Sequence, residues 1–327
     1  MWDVHAIEPV QRDVVAALEG GTATGEPLRR IDTHMSHLFL GAEEVLKLKR
    51  ARTFPFADLA DLDARGAACA AELAVNRALA PALYEAVVAV RRDGQRRVRL
   101  DGEGVIVDWL VRMRRFADGA LFSELAEAGR LDPELAAEAA EAVARFHGRQ
   151  TPRLDAGHAA DYVRIVQGLR ATEVRAAEEM NLSSASEPLY AALEHEVARQ
   201  APTIEARRRR GCVVRGHGEL HLANICVFAG KATPFDALEF DPALATADRL
   251  YDIGFLLADL KTRGLEAQAE AARVRYFDVL GETEDGLRLL PLFMALRAAV
   301  RTAVAVAAGD LAQAARYRRA AVALLDA

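Results

Sequence analysis

Between Val213 and Leu260 the chain reads VVRGHGELHLANICVFAGKATPFDALEFDPALATADRLYDIGFLLADL, and this stretch limits the possible folds more than any other. It sets His217, Glu219, His221, Asn224, Asp236, Glu239, Asp241, Asp248 and Asp252 among strongly apolar residues. Acids beside buried-looking strands are costly unless a cation or a proton transfer stabilises them. The stretch therefore reads as a nucleotide-phosphate and metal site, with the rest of the chain as its scaffold.

That scaffold has room for two lobes, each with its own core, in 327 residues. Abundant alanine and only 6% aromatic residues favour helices over an all-β build. A net charge of −6 argues against a nucleic-acid or anionic-membrane surface. The basic runs Arg112, Arg114, Arg115 and Arg207 to Arg210 read as solvated faces. Cys69, Cys212 and Cys226 form no CxxC pair, which suits a reducing compartment rather than a disulfide or zinc framework. The start MWDVHAIEPVQRD has acids where a signal peptide needs a basic region, and no window approaches ~18 uninterrupted apolar residues. The expectation is a cytoplasmic protein, monomer or homodimer.

In chain order, 7–19 is helical in spacing and ends at Gly20-Gly21. Residues 28–50 read as two strands joined by a turn at Gly41, the second alternating through Val45-Leu46-Lys47-Leu48-Lys49. Lys47 and Lys49 then share one face, either as a solvated strand surface or because one of them grips phosphate. Phe54-Pro55-Phe56 breaks the pattern, and 58–79 is a helix with Glu72 near its middle. Strands are expected at 86–91, 97–100 and 104–113. Helices dominate afterwards, at 120–128, 133–148, 158–179, 187–208, 248–261, 264–281 and 287–325, interrupted only by β structure and loops over 213–247. The composition shift near 115–120 marks the lobe boundary, giving an N-lobe of 1–115 and a C-lobe of 116–327.

Residues 217–224 spell H-G-E-L-H-L-A-N, the skeleton of the protein-kinase catalytic loop: His, an acid two residues on, and Asn five beyond the acid. In that pattern the acid aligns or deprotonates the substrate hydroxyl, and the Asn oxygen is a neutral hard ligand for Mg²⁺. His217 holds the loop more readily than it does chemistry. Asp236 follows a turn at Ala229-Gly230-Lys231 and is spaced as the second metal acid, on the next strand. Upstream, Lys47 on a strand and Glu72 on the following helix suit the lysine–glutamate pair that positions phosphates.

On these motifs the sequence resembles the aminoglycoside phosphotransferase and choline-kinase-like superfamily. More narrowly, it resembles the bacterial aminoglycoside-phosphotransferase-like proteins often fused to a C-terminal P-loop ATPase domain. GHGELHLANICVFAGKATPFDALEFD, EVLKLKR, AELAVNRALAPALY, ARFHGR and DRLYDIGFLLADL carry the likeness, which spans about 28–305. It implies an α+β, bilobal protein-kinase-like fold with a small antiparallel-sheet N-lobe and a mainly helical C-lobe. It also implies ATP and Mg²⁺ as cofactors, and transfer of the γ-phosphate to a hydroxyl of a small molecule such as an aminoglycoside, sugar or amino alcohol. Carried over, Lys47 is the phosphate lysine with Lys49 as fallback, and Glu72 is its partner. Asn224 and Asp236 become metal ligands, and Glu219 with His217 the catalytic pair. A backbone hinge for adenine is expected within 110–116.

The sequence departs from the family pattern in three places. Glu219 stands where the family has Asp, extending the carboxylate by roughly 1–1.5 Å. No G-x-G-x-x-G is present; Thr33-His34-Met35-Ser36 occupies its place, so hydroxyls such as that of Ser36 and backbone donors would meet the phosphates. No GxxxxGK[ST] occurs, so the second ATPase domain is expected to be absent. Glu219 also leaves open a catalytically weak, nucleotide-binding or regulatory pseudokinase-like protein. A zinc hydrolase is disfavoured because HGELH matches neither H-E-x-x-H nor H-x-x-E-H. Of the remaining residues, His147 reads as a structural helix-end histidine. Glu239 and Asp241 are either site acids or helix caps. Asp248 and Asp252 suit a helix start, with Asp252 also able to brace the loop, and Arg297 and Arg301 line an anionic acceptor pocket or sit in water.

Overall fold

The computed structural model describes residues 5–54, 57–182 and 184–326. They form two compact units: residues 1–120 together with 235–241, and residues 121–234 together with 242–327. Two of the three residues of the expected break, Pro55 and Phe56, lie outside the described residues.

In the first unit a short turn at Pro9–Gln11 leads into helix α1 (Arg12–Glu19), whose Val14, Val15 and Leu18 are buried. The stretch expected as two strands is three: β1 (Arg29–Asp32), β2 (Ser36–Leu40) and β3 (Glu44–Lys49). The extra turn arises because the Thr33 N–H and hydroxyl both donate to the Ser36 carbonyl, while the Ser36 N–H donates to the Thr33 hydroxyl. A small hairpin follows, β4 (Thr53–Phe54) and β5 (Ala57–Asp58). Helix α2 (Leu62–Leu79) is capped by Asp61, which accepts from the amides of Asp63 and Ala64. Strands β6 (Tyr84–Arg92), β7 (Val98–Leu100) and β8 (Val105–Arg114) complete a six-stranded antiparallel sheet in the order β1-β2-β3-β8-β6-β7. Leu46 and Leu48 of β3 enter the core with Phe39, Val88, Val90 and Leu110. The alternation that buries those leucines turns Lys47 and Lys49 to the opposite face, towards α2.

The second unit is mainly helical: α3 (Phe122–Glu127), α4 (Pro133–Gly148), α5 (Ala159–Glu179) and α6 (Glu187–Arg209) come first. Four short strands follow, β9 (Val213–Arg215), β10 (Ile225–Phe228), β11 (Lys231–Pro234) and β12 (Thr246–Asp248), paired as β9 with β12 and β10 with β11. Helices α7 (Arg249–Thr262), α8 (Glu266–Leu280), α9 (Glu284–Ala307) and α10 (Leu311–Leu325) close the chain. The helix expected over 287–325 is therefore two, parted at Gly309, whose φ of +79° is left-handed and suits glycine. Helix α9 is long and apolar enough to cross a membrane, yet 78% of its most apolar window is buried inside the protein, as a core helix is.

Two charged features depart from the sequence expectation. Arg207, read as part of a solvated run, is buried and forks onto Asp248 (2.7 and 3.0 Å) and Glu282 (2.7 and 3.1 Å). Arg297 is not a solvated surface residue. It is buried, donates to the Tyr251 carbonyl at 3.0 Å and stacks 3.8 Å from the Tyr251 ring centre.

Candidate active site

In the first unit, four of the expected residues meet. Helix α2 buries Arg65, Cys69, Glu72 and Asn76, spaced so that they share one face. From that face Glu72 takes Lys47 Nζ on one carboxylate oxygen (2.8 Å) and Lys49 Nζ on the other (2.6 Å). Each lysine has a second carboxylate from the 235–241 segment: Asp236 for Lys47 (2.6 Å) and Glu239 for Lys49 (2.5 Å). The result is a chain of two ammonium groups and three carboxylates. Burial works against the charged form of Lys47, but Asp236 and then Glu72 outweigh it and raise its pKa well above the usual lysine value. Lys49 is raised too, against burial, by Glu72 and Glu239. Burial likewise opposes ionisation of Glu72, and the two lysines overcome it and lower its pKa.

Asp236 does not sit on a strand, as expected, but in the loop just after β11, with φ of +60°. A non-glycine residue there carries ~1–3 kcal/mol of strain, and aspartate tolerates it better than most. Two residues of the AELAVNRALAPALY stretch that have no assigned role from the sequence hold the loop in place. The Asp236 N–H donates to the Tyr84 hydroxyl (3.2 Å), and Asn76, one turn beyond Glu72, takes the Ala237 N–H on its side-chain oxygen (2.8 Å). Sequence reasoning missed both; the i, i+4 spacing of Glu72 and Asn76 was the available signal.

Ser36 is cross-strand partner to Lys49, but its hydroxyl is buried and has no hydrogen-bond partner among the described residues. The Thr33 hydroxyl and the Ser36 N–H, expected as phosphate donors, are spent on closing their own turn.

In the second unit the HGELHLAN segment forms an irregular loop ending in a single helical turn, Leu222–Asn224. His217 is buried, and its Nδ1 accepts the Glu219 N–H at 3.3 Å. Glu219 has a 39% exposed side chain, 3.6 Å from His221. The Asn224 amide nitrogen donates to the Glu219 carbonyl (2.9 Å). Asp252 braces the loop: its two oxygens accept the N–H groups of His217 (2.7 Å) and Gly218 (2.8 Å). His147 is structural, bridging Asp252 (3.0 Å) and Tyr276 (2.7 Å). Burial disfavours the charged form of Asp252, yet the His147 hydrogen bond and charge, with His217 and Arg297, hold its pKa far below the usual carboxylate range.

No family model matches the chain. Uncharacterised proteins of Mycobacterium tuberculosis and Mycobacterium bovis are 27% identical over 286 residues, covering 86% of this chain and 55% of theirs. The chain thus spans about half the length of the curated relatives it matches. Among solved structures, a choline kinase of Cryptosporidium parvum superposes with a TM-score of 0.56 at 11% identity, over 91% of this chain and 88% of that one. A thermostable mutant aminoglycoside phosphotransferase, in ternary complex with AMP-PNP and hygromycin B, gives 0.55 at 14%, over 97% and 98%. A glucosamine kinase in complex with glucosamine, ADP and inorganic phosphate gives 0.54 at 17%, over 91% and 80%.

The chain has the fold of the aminoglycoside phosphotransferase and choline kinase superfamily.

Nucleotide and Mg²⁺ are expected from the sequence, and the first unit holds residues that suit them. Asp236 offers a carboxylate that is 41% exposed, a hard oxygen donor of the kind Mg²⁺ takes; Asn224, the other expected ligand, belongs to the second unit. Lys47, 12% exposed against 2% for Lys49, is the more accessible of the two ammonium groups.

Proposed function

We propose that this chain is an ATP- and Mg²⁺-dependent phosphotransferase that moves the γ-phosphate to a hydroxyl of a small molecule. The observation that carries the reading is Lys47 held between Glu72 and Asp236, three residues remote in sequence and joined at 2.8 and 2.6 Å. The ADP and inorganic phosphate named with a glucosamine kinase of this fold, and the AMP-PNP named with an aminoglycoside phosphotransferase, support a nucleotide.

In this reading Lys47, kept charged by its two carboxylates, presents a fixed positive charge to phosphate oxygens, and Glu72 sets its direction. Lys49, sequestered by Glu72 and Glu239, anchors the segment that carries Asp236. When bound, Mg²⁺ neutralises the charge that builds on the transferring phosphoryl oxygens, with Asp236 and Asn224 as its protein ligands. Glu219 accepts the proton of the acceptor hydroxyl, and His217 fixes the backbone of the loop that carries it. The acceptor is a small polar alcohol, and the protein works in the cytoplasm as a monomer or homodimer.

One residue favours a second reading. Glu219 places its carboxylate one methylene further out than aspartate would, and a ~1 Å misplacement costs ~10²-fold in rate. A catalytically weak nucleotide-binding protein is the alternative. The test couples ADP release to a spectrophotometric readout, with sugars, aminoglycosides and amino alcohols as acceptors, for the native chain, Lys47→Met, Lys49→Met and Glu219→Asp. A phosphotransferase loses ~10²-fold or more in Lys47→Met and less in Lys49→Met. A silent native chain with an active Glu219→Asp variant favours the weak binder. A melting temperature indifferent to ATP plus Mg²⁺ refutes both.

A further inference from the structure

Helix α7 presents a second buried carboxylate to the HGELHLAN loop, one that the proposed chemistry does not use. Asp259 lies seven residues beyond Asp252, two helical turns along the same face. One of its oxygens accepts the Leu222 N–H at 3.0 Å. Leu222 opens the single helical turn that ends at Asn224, so its N–H is one of the donors that no turn of its own can satisfy. Asp259 is thus the cap of the turn that carries the Asn224 amide. Beside this cap, the Asn224 N–H reaches the His221 carbonyl (2.9 Å), the Asn224 side chain reaches the Glu219 carbonyl (2.9 Å), and the Leu222 side chain is buried in the core.

The cap is itself held from two directions. The Tyr317 hydroxyl, on the C-terminal helix α10, donates to the other Asp259 oxygen at 2.7 Å, and Arg263 Nε lies 3.2 Å from that oxygen. Both Tyr317 and Asp259 are buried. Burial works against the Asp259 charge, but Arg263, then Tyr317 and the Leu222 amide, keep its pKa below the usual carboxylate value. The first half of the loop is pinned through Asp252 to His147 of α4 and Tyr276 of α8. The second half is pinned through Asp259 to α10.

We propose that Asp259, directed by Tyr317, is a positioning residue that fixes the Leu222–Asn224 turn and so the aim of the Asn224 oxygen. This inference rests on the phosphotransferase reading. It gives helix α10 a catalytic consequence although none of its residues belongs to the candidate site.

The test uses the whole chain and the variants Tyr317→Phe, Asp259→Asn and Asp259→Ala, with melting curves to establish that each folds. ATP turnover with water as acceptor is followed with Mn²⁺ as the metal, alongside backbone amide hydrogen exchange of the nucleotide-free protein. Loss of the cap is expected to speed exchange at Leu222 by ~10-fold or more while the amides of His217 and Gly218 keep their protection. Turnover is expected to fall ~3–10-fold in Tyr317→Phe and ~30–100-fold in Asp259→Ala, with the KM for ATP within about twofold. Asp259→Asn, whose amide oxygen can still accept from Leu222, is expected to fall between them. Unchanged turnover and unchanged Leu222 exchange in folded variants of an active native chain overturn the positioning role alone. Uniformly faster exchange across α7 also overturns it, as that is the mark of general destabilisation. A native chain that neither binds nor turns over ATP overturns the phosphotransferase reading and the role with it.

Discussion

Replacing Glu72 by Gln tests the charge chain at its centre. The glutamine has almost the same shape, but one end becomes an NH₂ group, so one lysine faces a donor where it had an acceptor. Each lysine keeps its outer carboxylate, Asp236 at 2.6 Å or Glu239 at 2.5 Å. Removing one partner from a buried pair costs ~3–5 kcal/mol, and the surviving outer pairs put this case near the lower end, about 3 kcal/mol. At ~4 °C per kcal/mol for a unit of this size, the melting temperature of the first unit should fall by about 12 °C near neutral pH. The loss must also depend on pH. Glu72 is depressed below its ordinary 4.5, so its contribution is fully in place above that value and disappears as pH falls through the lowered one. Melting followed by circular dichroism, at steps from about pH 7 to about pH 3, should show the gap between native and variant closing on the acid side. A fall of less than about 3 °C near neutrality, or a gap equally wide at both ends of the range, would refute a buried ion-pair chain.

Other substitutions probe the second unit. Gly216→Ala sets a Cβ 2.8 Å from the Asp252 carboxyl carbon, so it should cost ~1–3 kcal/mol by urea unfolding and lower turnover by shifting the brace of the HGELHLAN loop. Arg207→Leu leaves Asp248 and Glu282 buried without their shared guanidinium and should destabilise by ~3–5 kcal/mol, measured the same way. Asp252→Ala strips acceptors from two loop amides and a partner from His147, and should speed hydrogen exchange at His217 and Gly218 before any other amides of the loop.

The helices of both units, the strand alternation around Lys47 and the loop containing Glu219 and Asn224 were legible because each depends on residues a few positions apart. Asp132 before Pro133 marked the start of α4, and the Leu46 and Leu48 pattern oriented the two lysines without any knowledge of their partners. What stayed hidden depends on residues far apart in the chain. Arg207 looks like its three arginine neighbours until Asp248 and Glu282 arrive to surround it. Asp259, though within DRLYDIGFLLADL, has no role that its spacing marks, and Tyr317 reads as core, as a tyrosine at helical spacing usually is. The turn at Thr33 was missed because a side-chain hydroxyl closes it. Asp236 was misplaced on a strand because nothing in PFDALEF marks a left-handed residue, which here is held by Tyr84 and, through its neighbour Ala237, by Asn76.

The first unit is discontinuous in sequence: 235–241 belongs with 1–120, although 114 intervening residues do not. During synthesis Lys47 and Lys49 leave the ribosome with Glu72 as their sole carboxylate from this group. Asp236 and Glu239 follow Glu72 by 164 and 167 residues, at ~5–20 residues per second a delay of roughly 8–33 s. Until then two ammonium groups share one acid in a site built for three. A fragment ending at residue 120 stays in that condition permanently, so the part of the chain that first looks like an independent module cannot finish folding until residues 235–241 have been made.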